Sequence, residues 1–189
     1  MKKIFIFDFD GTISNKDSFW LLTFYSLGFF KNIKYWIYVL FFFPFRTKSQ
    51  LKEVFFKNFI GNDINSFNHL CANFISKLSD RLIKESFLEF VKNIDKDSEI
   101  VIVSASISNY LKPWCDKMDF DLISTELEVI NGELTGRFST PNCNGKEKVR
   151  RIKEKYNLSE YDEIHVFGNS KGDLPMLELG TDKYYKFFK

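Results

Sequence analysis

Ile4, Phe5, Ile6 and Phe7 follow one another with no polar residue between them. A strand with one wet face alternates apolar and polar positions, so an unbroken run predicts a strand covered on both sides, as inside a parallel α/β sheet. Two later runs repeat the pattern: EIVIVSAS from Glu99 to Ser106, and EIHVFGNSKGD from Glu163 to Asp173. Helical spacing surrounds them in RLIKESFLEFVKNI, SISNYLKPWCDKM, KEKVRRIKEKY and DLPMLELG. Strands and helices therefore alternate, which predicts an α/β fold built on a parallel sheet. In LEVINGELTGRF two short alternating segments flank Asn131-Gly132, the strongest short signal for a hairpin. DKYYKFFK predicts a last strand of the sheet.

One stretch fits neither pattern. Of the 27 residues from Phe19 to Phe45, 20 are apolar, too uniform for an ordinary surface helix. Lys31 and Lys34 cut the stretch into pieces shorter than the ~20 residues that a bilayer span needs. Its bland reading is the inward face of a helical bundle. Lys31, Lys34, Arg46, Lys48, Lys52 and Lys57 flank or follow it, however, and Trp20, Tyr35, Trp36 and Tyr38 suit the headgroup level. Apolar surface edged by lysines points to a helix pair lying in a membrane interface.

Composition narrows the classes. The 189 residues allow one domain, or one domain with an insertion. A net charge of +2, from 27 basic and 25 acidic residues, is too balanced to argue for nucleic acid. Cys71, Cys115 and Cys143 lack CxxC spacing, which fits reduced thiols in a cytoplasmic protein and no disulfide-linked partner. The start, MKK and then a short apolar strand, has no h-region of adequate length and reads as mature sequence.

The chemistry collects at the strand exits, where ligands of open parallel sheets bind. Asp8, Asp10, Ser104, Asn169 and Asp173 all fall there. Lys146 opens a helix whose register is marked by Val149, Ile152 and Tyr156, and a cation at that positive end calls for an anion nearby. Carboxylates, an amide oxygen, a hydroxyl and a lysine suit a hard cation such as Mg2+ together with a phosphate. Under those conditions one carboxylate is a competent nucleophile and a second, two residues on, a proton carrier.

DFDGT at 8–12, VSAS at 103–106, GKEK at 145–148 and GNSKGD at 168–173 resemble, in order and spacing, the four motifs of the haloacid dehalogenase superfamily of phosphohydrolases. The resemblance spans nearly the whole chain. It is nearest the branch containing phosphoserine phosphatase and, through LKPWCDK, TELEVINGELTGRF and PNCNGKEKVRRI, bacterial proteins grouped with phosphatidylglycerophosphatase C. It implies a Rossmann-like parallel sheet with an all-helical cap inserted after the first motif: core at 1–14 and 99–189, cap at 15–98.

The resemblance also implies roles. Asp8 would be nucleophile and metal ligand, and Asp10 general acid and base with its backbone carbonyl on the metal. Gly11, Thr12, Ser104, Ala105 and Lys146 would hold the phosphate, with Lys146 also neutralising Asp8. Asn169 and Asp173 would complete the Mg2+ environment. Many members have aspartate where this chain has Asn169, which lowers the expected metal affinity and keeps a non-catalytic, phosphate-binding reading open. Dehalogenation is disfavoured by Asp10, Thr12 and the metal-site acids, which displacement of a halide does not need.

Substrate choice falls to the cap. Asp17 sits where an acid of phosphoserine phosphatases contacts the amino acid, and is equally placed to cap the first helix. Arg46 is the other cap candidate. His69 and His165 read as structural. The expected function is Mg2+-dependent phosphomonoester hydrolysis in the cytoplasm, on a lipid phosphate such as phosphatidylglycerophosphate at the inner face of the membrane, or on a soluble phosphoserine-like metabolite.

Overall fold

The computed structural model describes residues 1–42, 45 and 47–189; Arg46 lies outside the described residues. The sheet has five parallel strands in the order β3-β2-β1-β6-β7: β1 Lys3–Phe7, β2 Glu99–Ile107, β3 Asp121–Thr125, β6 Glu163–Gly168 and β7 Asp182–Tyr185. β1 is central, and its side chains leave alternately for two separate cores. Phe5 and Phe7 join one cluster with Ile102 and Phe167; Ile4 and Ile6 join the other with Val101, Val103 and Val166. Both faces are covered, so no polar position was available within the run.

The first face is covered by α5 (Glu85–Lys92) and α6 (Ser108–Met118), which bury Phe87, Tyr110, Leu111 and Trp114. The second is covered by α7 (Lys146–Lys155) and the single-turn α8 (Leu174–Leu177), with Ile152, Met176 and Leu177. β4 (Leu127–Ile130) and β5 (Glu133–Phe138) form the hairpin expected at Asn131-Gly132. Both turn residues have positive φ, 52° and 83°, the condition for a type I′ turn.

Between β1 and β2 the chain forms α1 (Ser18–Ser26), α2 (Phe29–Phe42), α3 (Lys48–Phe56) and α4 (Ile64–Leu82) ahead of α5. Asp17 caps α1, accepting from the amides of Phe19 and Trp20; Thr47 and Gln50 form a capping box on α3. The hairpin is tied to this insertion by hydrogen bonds from Gly61 N to Leu134 O and from Ile64 N to Gly132 O, each 2.9 Å. A Cβ on Gly136 would meet Ile60 Cγ1 at 2.8 Å, so only glycine admits this approach.

α1 and α2 pack inward through Phe19, Leu22, Tyr35 and Val39. Outward they present Phe24, Phe29, Phe30, Leu40 and Phe41, all at least 60% exposed. Among the described residues no helix is long and apolar enough to cross a membrane.

Candidate active site

β1 ends at Phe7, and Asp8 still belongs to the sheet through its amide, which donates to Phe167 O at 3.0 Å. The chain then turns sharply. Gly11 has φ 77°, and a Cβ there would fall 2.2 Å from Asn169 Nδ2, so the loop after β1 and the amide of Asn169 fit only without a side chain. Ser14 Oγ holds the turn, accepting from Gly11 N at 3.1 Å. Lys84 donates to Gly11 O and to Phe188 O, each at 3.0 Å, pinning the loop from behind.

Asp8 is 6% exposed and its two oxygens are separately held. Oδ1 accepts from Lys148 Nζ at 2.5 Å and Oδ2 from Thr12 Oγ1 at 2.8 Å. Lys148 also donates to Asp173 Oδ1 at 2.8 Å. Asp173 Oδ2 accepts from the amides of Asn169 and Ser170 and from Ser170 Oγ. Burial pushes the Asp8 carboxyl up to about 6, with Asp173 and Asp10 adding to the rise and Lys148 opposing it. Burial alone would lower Lys148, but the two carboxylates outweigh it and hold the ammonium well above its usual range. Asp173 resists its own burial through Lys148 and Ser170 and stays below the usual carboxylate range.

This corrects the expectation for Lys146. That residue is exposed at the first position of α7, and the lysine beside Asp8 is Lys148. At 100° per residue, two positions turn a side chain 200° around the helix. Lys148, Ile152 and Tyr156 repeat every fourth residue and are all buried, so counting in fours from Ile152 identifies the inward lysine.

A cavity of about 340 Å3 opens in front of Asp8. Asp10 and Ala105 line it from the sheet side, Asp17, Lys48 and Lys52 from the insertion, and Asn142, Asn144, Lys171 and Asp173 from the far wall. Asp10 is turned by Ser18 and Ser106, whose hydroxyls lie 2.6 Å from its oxygens. Ser104 is fully buried where β2 loses register with β3, and its Oγ accepts from Ser106 N at 3.1 Å. The structure therefore brings Asp8, Asp10, Ala105, Asp17 and Asp173 to one cavity, with Thr12 and Ser104 buried behind it and Asn169 against the Gly11 turn.

Lys52 was missed as a site residue because a lysine beside the apolar stretch reads as a rim charge. It is 8% exposed, donates to Ala105 O at 2.9 Å, and burial lowers its pKa against the pull of Asp10 and Asp17. Asp17 is raised by burial and by Asp10. Ser106 ends the VSAS motif, but only the tertiary fold brings it together with Ser18 and Asn144, which carry no sequence signal of their own.

Residues 5–178 match the model of the haloacid dehalogenase-like hydrolases. The chain belongs to that family. This hydrolase is 27% identical over 193 residues to Protein CicA of Caulobacter vibrioides (strain NA1000 / CB15N), covering 97% of this chain and 85% of the relative. Its fold is similar to a protein of unknown function from Bordetella pertussis Tohama I, with a TM-score of 0.83, 18% identity, and 96% and 88% of the two chains covered. It is also similar to a phospho-aspartyl intermediate analogue of phosphoserine phosphatase, with a TM-score of 0.62, 16% identity, and 95% and 83% covered. For the hydrolase, family membership and the parallel sheet expected from the apolar runs agree.

The donor set fits a hard divalent cation. Asp8 and Asp10 line the cavity and the amide of Asn169 packs against the Gly11 turn, and carboxylate, carbonyl and amide oxygens are the donors such a cation takes. Asp173 accepts from Lys148, from the amides of Asn169 and Ser170 and from Ser170 Oγ, which suits it to orienting Lys148 and the loop.

Proposed function

We propose that the chain is an Mg2+-dependent phosphomonoesterase that works through an aspartyl-phosphate on Asp8. The observation that carries this reading is a buried carboxylate held by Lys148 and Thr12 at the floor of a cavity that a second carboxylate, Asp10, also lines. Asp8 Oδ attacks phosphorus; the ester P–O bond breaks and the leaving oxygen takes a proton from Asp10. Asp10, now a carboxylate, removes a proton from water, whose oxygen attacks the same phosphorus. The acyl-phosphate bond breaks, inorganic phosphate leaves and Asp8 is restored. Asp8, the Asp10 carbonyl and Asn169 would hold Mg2+, which when bound would supply charge neutralisation to the phosphoryl group. Lys148 stabilises the Asp8 carboxylate and meets the charge gathering on the phosphoryl group. Ser104 and Ala105 shape the loop facing that group. Residues 15–98 act as the cap, with the hairpin docked on it, and Asp17, Lys48 and Lys52 face the leaving group.

For the substrate we favour a lipid phosphate presented at the inner membrane surface. Supporting it are the outward phenylalanines of α1 and α2, interleaved with exposed Lys31 and Lys34, on the insertion that also supplies Lys48 and Lys52 to the cavity. α2 spans about 21 Å at 1.5 Å per residue, short of the ~30 Å hydrocarbon core, so in this reading it lies along the surface and does not cross. A soluble small-metabolite ester is the second reading, favoured by the likeness to phosphoserine phosphatase.

Phosphate release with Mg2+ from phosphatidylglycerophosphate in anionic vesicles, against phosphoserine and other soluble monoesters, tests both. Turnover of the lipid ester that disappears in Asp8→Asn is expected. Turnover confined to soluble esters selects the second reading. Absence of turnover on every ester, with phosphate still bound, returns the chain to the non-catalytic reading.

A further inference from the structure

Three hydrogen bonds restrain the Asp10 carboxylate. Oδ1 accepts from Ser18 N at 2.7 Å and from Ser18 Oγ at 2.6 Å, and Oδ2 accepts from Ser106 Oγ at 2.6 Å. Ser18 Oγ also lies 2.8 Å from Tyr110 Oη. Ser18, Ser106 and Tyr110 are each no more than 1% exposed, so water does not substitute for any of these bonds.

With Asp10 ionised, as it is before it takes a proton from water, counting protons gives the network one direction. A seryl hydroxyl has one proton, and the carboxylate is acceptor only. The Ser18 and Ser106 protons therefore both go to Asp10, and Tyr110 must donate to Ser18 Oγ. Ser106 Oγ is 3.4 Å from Ser18 Oγ, near enough to offer the Ser18 proton another acceptor. The bond from Tyr110 fills an acceptor site on Ser18 and keeps that proton on Asp10.

We propose that Tyr110, acting through Ser18 with Ser106 opposite, is a positioning residue that fixes the Asp10 carboxyl for proton delivery to the leaving oxygen. The inference rests on the phosphomonoesterase reading and adds residues from α1, β2 and α6 that touch neither phosphate nor leaving group. Four segments meet here: the loop after β1, the first turn of α1, the end of β2 and α6. Tyr110 is locked by its own packing, edge-on to Phe74 of α4 with centroids 5.4 Å apart. A phenylalanine keeps that contact, so Tyr110→Phe removes the hydroxyl and little else.

The effect depends on how much the leaving group needs a proton. An aryl ester such as p-nitrophenyl phosphate departs as a stable phenolate, whereas an alkyl ester departs as an alkoxide unless it is protonated. The test is kcat/KM with Mg2+ for a series of aryl and alkyl monoesters, in wild type, Tyr110→Phe, Ser106→Ala and Asp10→Asn, with melting temperature as the fold check. The expected result is a steeper dependence on leaving-group pKa: alkyl esters fall about tenfold or more in Tyr110→Phe, and aryl esters at most about threefold. Asp10→Asn gives the steepest line. Ser106→Ala, acting on the other oxygen, steepens it as well and serves if Tyr110→Phe does not fold. A parallel fall for all esters, or an unchanged slope, overturns the proposal. Wild-type protein that releases phosphate from no ester overturns the phosphomonoesterase reading and this inference with it.

Discussion

Phenylalanine meets two fates in this chain. Around the sheet, Phe5, Phe7, Phe87, Phe90, Phe167 and Phe188 pack on one another with centroids 4.5–6.5 Å apart, and Phe7, Phe87 and Phe167 are wholly buried. On α1 and α2, Phe24, Phe29, Phe30 and Phe41 face outward. The residue type is the same; the difference is what lies opposite. A central strand has partners on both faces, whereas a 14-residue helix on the outside of an insertion has them on one. Burial is thus a property of the neighbourhood, and an apolar side chain without one is available for a partner.

The largest effects are expected where that neighbourhood is complete. Phe7→Ala removes a side chain at the centre of the stack and costs about 3–5 kcal/mol in denaturant unfolding. Lys148→Ala leaves Asp8 and Asp173 facing each other without their cation. A loss of about 3 kcal/mol or more, with loss of phosphate release, is expected, while Lys146→Ala stays within about 0.5 kcal/mol.

The charged centre also sets a pH dependence. In metal-free protein the Asp8 carboxyl lies at about 6, above its unfolded value of 3.8. The folded state then binds more protons than the unfolded state across that window. The Asp8 contribution is greatest below pH 3.8 and is lost as pH rises through 6. The stability of wild type minus that of Asp8→Asn should therefore decline between about pH 4 and 6 and level off above.

The smallest stability effects belong to the outward face. Phe30→Ser and Phe41→Ser are expected to change unfolding by no more than about 0.5 kcal/mol, yet to reduce flotation with anionic vesicles severalfold. Equal flotation of variant and wild type would remove the distinction between the two sets of phenylalanines.

The sheet was legible because uninterrupted apolar runs allow few other solutions, and the hairpin because Asn131 and Gly132 tolerate positive φ. The position of Asp8 and Asp10 followed from the end of β1. What escaped was the identity of the lysine: GKEK offers two, and choosing between them needs the helix phase. The electrostatic oddity of a cation opening α7 drew attention to Lys146, while the buried stripe of Lys148, Ile152 and Tyr156 decides for its neighbour. Lys52 and Tyr110 escaped for another reason. Each reaches the site from an element whose approach to the strand ends is set by tertiary packing, and local spacing holds no record of that.

The clamp from Lys84 has a consequence for timing. Its one ammonium group ties Gly11, 73 positions before it in sequence, to Phe188, 104 positions after it. Helices α1 to α4 are local and form early, whereas contacts of such separation form late. A refolding chain should recover its helical signal well before the turn that follows Asp8 is set, so activity is the last property to return.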